Sequence, residues 1–131
     1  MTTGTTSETT EVPTLGLDLD GVISDASSFF SVFSHAWPGR VVIITYRGDR
    51  AKAEADLATY NVRYTDLVLV DRFDAKAQVI AEMGINVYID DQPEMLKNIP
   101  ETVSVMLFRN EGNFSHEEKL WSLSKTTGKL V

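Results

Sequence analysis

Two aspartates, Asp18 and Asp20, follow a short apolar stretch that begins at Leu15, and Gly21 comes directly after them. The alternation of apolar residues predicts a β-strand that leaves the core at Asp18. In open α/β sheets, ligands bind at the carboxyl ends of the strands. The two carboxylates are therefore the first candidates for chemistry in this chain.

Other residues that could do chemistry occupy similar positions farther along. Thr45 follows the β-branched run 41–44, and Lys76 lies at the start of the helix before the fourth predicted strand. Asp90 and Asp91 end that strand. Taken one at a time they are ordinary, because an aspartate at a strand end is usually a turn or cap residue and a lysine is usually solvated. Their occurrence on consecutive strand ends indicates a common site.

Carboxylates that crowd together at one sheet edge raise one another's pKa and destabilise the fold. A hard divalent cation resolves the repulsion, and magnesium prefers a few carboxylates together with water and phosphate oxygens. A lysine adds fixed positive charge, while a threonine hydroxyl and the free N–H groups at a helix start can hold phosphate oxygens. The set predicts a site for a magnesium-bound phosphoryl group.

The elements that must position these residues alternate between strand and helix. After the first strand, the pattern predicts strands over 41–44, 67–70, 86–89 and 103–108. Helices are predicted from about 25 to before Pro38, over 50–60 and over 74–83, with others starting at Pro93 and at the capping box 115–118. The expected fold is α/β, a Rossmann-like three-layer α/β/α sandwich with a five-stranded parallel sheet and no cap domain.

Helical spacing also predicts the buried faces and the ends of the helices. The inward face expected for the first helix consists of Phe29, Val32, Phe33 and Ala36. Ser24 or Asp25 is the expected cap of that helix, and Gly84 is expected to end the helix over 74–83. The last helix should continue from the capping box through Leu120, Trp121 and Leu123.

Composition limits the classes of function. A chain of 131 residues with 43% hydrophobic residues is one domain by size, and its net charge of −7 argues against a broad nucleic-acid surface. The absence of cysteine excludes disulfides and thiolate sites, and it fits a reducing cytoplasm. Residues 1–12 are expected to be a disordered tail without the apolar core of a secretory signal, and 13–131 to be the functional domain. We expect a cytoplasmic protein with no membrane partner.

Taken in order, the motifs resemble those of the haloacid dehalogenase-like phosphohydrolases, the HAD superfamily. The matching segments are Asp18–Val22, Ile43–Thr45, Lys76 and Tyr88–Asp91, and the resemblance extends over about 15–108. Within the superfamily, the sequence is most similar to the 5′(3′)-deoxyribonucleotidase-like group. The two usual cap insertions are missing, so the resemblance implies a capless member with an open site. Such an enzyme would act on a small phosphomonoester or nucleotide, and a homo-oligomer could supply a lid.

The resemblance implies a role for each matched residue. Asp18 would be the nucleophile that becomes an aspartyl-phosphate, Asp20 the general acid and base, and Lys76 the group that neutralises Asp18 and the phosphoryl oxygens. The expected ligands of the substrate phosphate are Thr45, Tyr46, Arg47 and Gly21. The expected magnesium ligands are Asp18, Asp20 through its carbonyl, Asp90 and Asp91. The implied activity is magnesium-dependent phosphomonoester hydrolysis.

Several alternatives stay open at this point. A phosphotransferase would need the same residues and differ only in its acceptor. A non-catalytic partner protein could keep the site to bind metal or phosphate. Receiver domains also combine acids, a threonine and a lysine, but in a different chain order, which argues against them.

Some side chains have two interpretations. Arg47 could form a salt bridge with Asp49 or Glu54 instead of binding phosphate. Tyr46 and Phe73 could stack on a base or sugar, although packing at the core or rim is the ordinary role for such residues. We expect His35 and His116 to be structural or exposed, because neither has a partner pattern typical of a metal site.

Overall fold

The computed structural model describes residues 11–72 and 74–122. Five parallel strands form one sheet in the order β3-β2-β1-β4-β5. The strands are β1 Leu15–Leu17, β2 Val41–Tyr46, β3 Asp66–Val70, β4 Val87–Asp90 and β5 Ser104–Leu107. The three α-helices are α1 Ser27–Ala36, α2 Arg50–Thr59 and α3 Ala75–Glu82. The predicted α/β class and the five-stranded parallel sheet are confirmed.

The sheet has a hydrophobic core on each face, which makes the fold three-layered. On one face, Phe30 of α1 and Leu57 of α2 pack with Ile43 and other apolar residues of the central strands. On the other face, Ile80 of α3 packs with Ile44 and its neighbours. Strand β2 contributes to both cores, as its unbroken β-branched sequence predicted.

Helix α3 ends as predicted. Gly84 adopts a φ of 67°, a left-handed conformation that glycine takes without strain. Its N–H donates to the carbonyl of Ala81, and the next N–H, from Ile85, donates back to the carbonyl of Ile80. These two bonds satisfy carbonyls at the helix end and form a Schellman motif. The chain then enters β4, which begins at Val87.

The predicted inward face of α1 was right for Phe33, which packs against the core, and wrong for Phe29, Val32 and Ala36, which are exposed. Phe29 and Val32 are 60% and 71% exposed, and the buried residues are Phe30 and Ser34. Several aromatic residues follow one another here, so helical spacing alone was compatible with more than one phase. The Ser34 hydroxyl accepts a hydrogen bond from the N–H of Arg63, which allows a polar residue to face the core. The predicted cap was also wrong, because Ala26 precedes the helix and no side chain caps it.

The predicted last helix was wrong as well. Its start forms the strands β6 Phe114–Ser115 and β7 Leu120–Trp121, which pair antiparallel. The Ser115 hydroxyl does accept the N–H of Glu118, as in a capping box, but Lys119 then turns the chain back with a φ of 62°. The local hydrogen bond of a capping box therefore serves a turn here. Leu123 lies outside the described residues.

The connections between strands are short. A kinked turn, Leu19–Ile23, and α1 occupy the segment between β1 and β2, and α2 occupies the segment between β2 and β3. A 3₁₀ helix, Pro93–Leu96, begins at the proline that the sequence marked as a helix start. Of the predicted tail, 1–10 lies outside the described residues. Among the helices that are described, none combines the length and hydropathy needed to cross a bilayer.

Candidate active site

Three carboxyl groups meet at the carboxyl edge of the sheet. Leu17 of β1 pairs with Ile89 of β4, so the residues that follow them, Asp18 and Asp90, leave the sheet side by side. Asp91 comes next in the chain, and one carboxylate oxygen from each of these aspartates lies within 4.8 Å of the others. All three aspartates are buried. Parallel pairing thus brings together acids that are far apart in the sequence.

Lys76 lies between two of these carboxylates. Its Nζ is 2.9 Å from Asp18 Oδ1 and 2.8 Å from Asp90 Oδ2. Lys76 belongs to the first turn of α3, and its side chain is 1% exposed. An ammonium group this deeply buried is stable only when it is paired. The predicted convergence of Asp18, Lys76, Asp90 and Asp91 is therefore present in the structure.

The electrostatics of this acidic cluster, Asp18, Asp90 and Asp91 with Lys76, are unbalanced. Burial raises the pKa of Asp18 well above its ordinary value, and the charge of Asp90 raises it further, while Lys76 lowers it. Burial lowers the pKa of Lys76, but the charges of Asp18 and Asp90 outweigh burial, and the net pKa is raised. One ammonium group thus faces three carboxyl groups. A further cation would relieve the repulsion, and oxygen ligands are the type that magnesium prefers.

Tyr88 fixes the orientation of Asp90 and was missed as a site residue. Its hydroxyl donates to Asp90 Oδ2 at 2.5 Å from a fully buried position. Burial and the charge of Asp90 raise the pKa of Tyr88 well above its ordinary value, so it stays a hydrogen-bond donor. The N–H of Gln92 donates to Asp90 Oδ1 at 2.9 Å. In the sequence, Tyr88 looked like an ordinary core residue of a strand.

Asn110 and Asn113, from the loop after β5, hold Asp91 in place. Asn110 Nδ2 donates to Asp91 Oδ2 at 2.9 Å and to the carbonyl of Gly21 at 2.8 Å. Asn113 Nδ2 donates to the backbone carbonyl of Asp91 at 2.8 Å. Sequence reasoning missed both residues, since asparagine near glycine is usually a turn residue. Their hydrogen bonds connect the loop after β5 to the segments Asp18–Val22 and Tyr88–Asp91.

Gly21 allows the chain to turn after the first strand. Its φ of 87° is in the left-handed region that favours glycine, and it lies at the kink of the turn Leu19–Ile23. The N–H of Gly21 donates to Ser24 Oγ at 2.9 Å, and its carbonyl accepts from Asn110. The expected tight backbone is therefore present. A contact of Gly21 with phosphate stays a prediction.

Thr45 lies near the end of β2 and is fully buried. Its hydroxyl oxygen has no hydrogen-bond partner within the part of the chain that is described. Leaving a buried hydroxyl unsatisfied costs about 1–3 kcal/mol, so a ligand oxygen at this point would be stabilised. Phosphate binding by Thr45 stays a prediction, and this geometry fits it.

Asp20 is separated from the acidic cluster. Both of its oxygens accept from Arg47, with Nε to Oδ2 at 2.9 Å and Nη2 to Oδ1 at 2.7 Å. Arg47 also donates through Nη1 to Asp56 Oδ2 at 2.7 Å. The partners of Arg47 are thus Asp20 and Asp56, and not the Asp49 or Glu54 considered from the sequence. The hydrogen bonds to Asp20 are the largest cause of the raised pKa of Arg47. Burial lowers this pKa but is outweighed.

The remaining candidates have contacts of other kinds, and phosphate binding by Tyr46 stays a prediction. Tyr46 packs against the apolar cluster on the α3 face of the sheet. His35 is exposed and contacts the carbonyl of Ser31, and the ring of His116 packs edge-on against Phe114. Both histidines are therefore structural or exposed, as expected. Phe73 lies outside the described residues.

The site therefore consists of two adjacent groups of charged residues. Asp18, Asp90 and Asp91 surround Lys76, while Asp20 is bound by Arg47. No family model, curated protein or solved structure matches this chain. Its chemistry is inferred from the residues and from their geometry.

Proposed function

We propose that this protein is a magnesium-dependent phosphomonoester hydrolase that works through an aspartyl-phosphate on Asp18. The observation that carries the proposal is the buried Lys76 ammonium between Asp18 and Asp90, with Asp91 within reach of both. A merely structural salt bridge needs one carboxylate for each lysine. The surplus of carboxyl groups at the ligand-binding edge of a parallel sheet supports a site for a cation and a phosphoryl group.

Each residue then has a definite task in the reaction. An oxygen of Asp18 attacks phosphorus and forms a new P–O bond, while the bond from phosphorus to the leaving oxygen breaks. The electron pair of that bond stays on the leaving oxygen, which takes a proton from the Asp20 carboxyl. In the second step Asp20 takes a proton from water as the water oxygen attacks phosphorus. The bond from phosphorus to Asp18 breaks, which releases phosphate and restores both aspartates.

The remaining groups stabilise charge. Asp18, Asp90 and Asp91 would hold Mg²⁺, which when bound supplies positive charge beside the phosphoryl oxygens. Lys76 holds the Asp18 carboxylate in position and adds a positive charge to the site. The Thr45 hydroxyl donates to a phosphoryl oxygen. Positioning and electrostatic stabilisation of this kind are the main requirements of phosphoryl transfer.

The substrate is a small phosphomonoester, such as a nucleotide or a phosphorylated metabolite. The net charge of −7 disfavours a long polyanion, since a nucleic acid binds through a broad basic surface. The groups proposed to bind the phosphoryl group, Lys76, Thr45 and a magnesium ion on the three aspartates, all belong to the carboxyl edge of the sheet. They recognise a phosphoryl group and leave the rest of the substrate to the surrounding loops.

The decisive experiment is an assay of the full chain on p-nitrophenyl phosphate and on a panel of nucleoside monophosphates, with and without Mg²⁺. Asp18→Asn should lower turnover on the order of 10⁴-fold or more, because it removes the nucleophile. Asp66→Asn is the matched control, since Asp66 pairs with the exposed Arg40 at the amino end of the sheet. Its rate should equal that of the unmodified protein.

Two outcomes would contradict the proposal. Folded protein that cleaves no phosphomonoester would favour a non-catalytic metal-binding or phosphate-binding protein. Transfer of phosphate to an added alcohol in preference to water would favour a phosphotransferase. An Asp18→Asn variant that kept its rate would show that Asp18 is not the nucleophile.

A further inference from the structure

Arg47 is an unusually well-bound side chain for a residue at the end of a strand. It follows β2 directly, and its own N–H donates to the carbonyl of Thr45 at 3.1 Å, which makes a tight turn. The side chain is 5% exposed. Its guanidinium plane meets the Asp20 carboxylate through two parallel hydrogen bonds, the bidentate geometry that fixes a carboxylate in both distance and plane.

Asp56 holds the other end of this guanidinium. It lies on α2, between Ala53 and Leu57, two buried residues that fix the helix against the sheet. Lys52, one turn earlier, is 3.4 Å from the same Asp56 oxygen. The hydrogen bond from Arg47 is the largest cause of the lowered pKa of Asp56, so Asp56 stays ionised. The position of Arg47 is therefore set by the fold and not by Asp20 alone.

Little of the charge on Arg47 is left for a substrate. Two carboxylates, Asp20 and Asp56, face its single positive charge. Asp20, in contrast, keeps capacity for further contacts, because each carboxylate oxygen has a second lone pair. The Asp20 side chain is 25% exposed, so part of it is accessible to a ligand while Arg47 is bound.

We propose that Arg47, held by Asp56, is a positioning residue that orients Asp20 for proton transfer and does not bind the substrate phosphate. This inference rests on the proposed function, in which Asp20 protonates the leaving oxygen. A carboxyl group on the turn after β1 could adopt several rotamers. The planar pair with Arg47 selects one of them, so that the carboxyl group is oriented before the substrate arrives and the second lone pair of each oxygen is left for the proton.

The two roles of Arg47 predict different kinetics. p-Nitrophenolate is a stable leaving group that needs little protonation, whereas an alkoxide needs a proton as the P–O bond breaks. Arg47→Lys keeps the positive charge but removes the bidentate pair. We expect it to lower kcat/KM about 10²-fold on ethyl phosphate and less than about 10-fold on p-nitrophenyl phosphate. Inhibition by inorganic phosphate should be unchanged.

Asp56→Asn is the second variant, because it leaves the Arg47–Asp20 pair in place and removes only its support. It should show the same substrate contrast to a smaller degree. Arg40→Lys is the matched control, since Arg40 forms an exposed ion pair with Asp66 at the opposite edge of the sheet. This control should leave both substrates and the inhibition unchanged. Denaturant unfolding of each variant establishes that the protein assayed is folded.

The possible results separate the inference from the proposed function. Equal losses on both substrates, together with weaker inhibition by phosphate, would show that Arg47 binds phosphate and would overturn the inference. If Arg47→Lys does not fold, the test depends on Asp56→Asn alone. Rates of Asp56→Asn equal to those of the unmodified protein would then overturn the inference. Inactivity of the unmodified chain on every phosphomonoester would overturn the proposed function and the inference together.

Discussion

Lys76 and Arg47 both bind carboxylates at the carboxyl edge of the sheet, but they do so in different ways. Lys76 is a single point charge between Asp18 and Asp90, with Asp91 close by, and this group is buried. Arg47 pairs in a planar geometry with Asp20 and also binds Asp56, and both of these carboxylates are partly exposed. The first group keeps a surplus of negative charge in a buried place, while the second is more nearly balanced.

This difference indicates a division of labour. A buried surplus of charge costs free energy, and it is retained where a ligand will compensate for it. A balanced and geometrically constrained pair costs little, and it serves to hold a side chain in one orientation. Under the proposed function, binding and covalent chemistry belong to the Lys76 group and orientation belongs to the Arg47 group. The following experiments test this comparison.

The largest expected effect on stability comes from Lys76→Met. The substitution leaves Asp18 and Asp90 buried without their cation, and removing one partner of a buried ion pair costs about 3–5 kcal/mol. Urea unfolding at neutral pH without metal measures this loss. Lys52→Met is the matched control, because Lys52 pairs with Asp56 at the surface and should cost less than about 1 kcal/mol. Similar losses from both variants would refute the comparison.

Magnesium should stabilise the folded protein by a smaller amount. A ligand that binds only the folded state adds about 2.7 kcal/mol when its concentration is 100 times its dissociation constant. The thermal midpoint should therefore rise with Mg²⁺ in the unmodified chain and much less in Asp91→Asn. Asp56→Asn should keep the full shift, because Asp56 belongs to the Arg47 group. If the rise in thermal midpoint were lost in Asp56→Asn and kept in Asp91→Asn, the metal would bind beside Arg47. That result would contradict the comparison.

The smallest expected effect is the pH dependence of the Arg47 group. The pKa of Asp56 is lowered in the folded protein, chiefly by the hydrogen bond from Arg47, from an ordinary value of 3.8. Folding therefore favours the ionised form, and its contribution is present above the ordinary pKa and is lost as pH falls through the lowered one. Asp56→Asn should be less stable than the unmodified chain at neutral pH by about 1 kcal/mol or less.

The measurement for this prediction is urea unfolding of both proteins over an acidic pH series. The difference between their free energies of unfolding should shrink as the pH falls below about 4 and should stay constant between pH 6 and 8. A difference that persisted in acid would mean that packing around Asp56, and not its charge, accounts for the effect of the substitution.

Prediction from the sequence succeeded for the strands of the main sheet and failed for part of one helix face and for the last helix. Continuous and alternating apolar runs identified the strands of the main sheet, since burial on both faces or on one face leaves a clear pattern. The inward face of α1 was partly wrong because Phe29 and Phe30 are equally apolar, and only packing against the sheet selects between them. The helix expected after Ser115 was wrong because one hydrogen-bond motif serves both a helix start and a turn.

Part of the candidate site was beyond sequence reasoning for a different reason. Tyr88 and Asn110 act through hydrogen bonds to Asp90 and Asp91, and nothing in their local sequence separates them from core or turn residues. Asp56 lies on a helix among other charged residues, where a solvated surface role is the ordinary expectation. Contacts of this kind depend on which elements become neighbours, and a single sequence does not carry that information directly.

The order and spacing of residues were sufficient to show that acids occur at the ends of parallel strands, because parallel pairing brings those ends to one edge of the sheet. They did not show that Asp18 and Asp20, one residue apart, would have different partners. Alternation along a strand would direct both side chains to the same face. The strand instead ends at Leu17, and Leu19, between the two aspartates, begins the turn Leu19–Ile23, so that Asp18 meets Lys76 from α3 while Asp20 meets an arginine anchored to α2. The packing of helices on both faces of the sheet decided this arrangement.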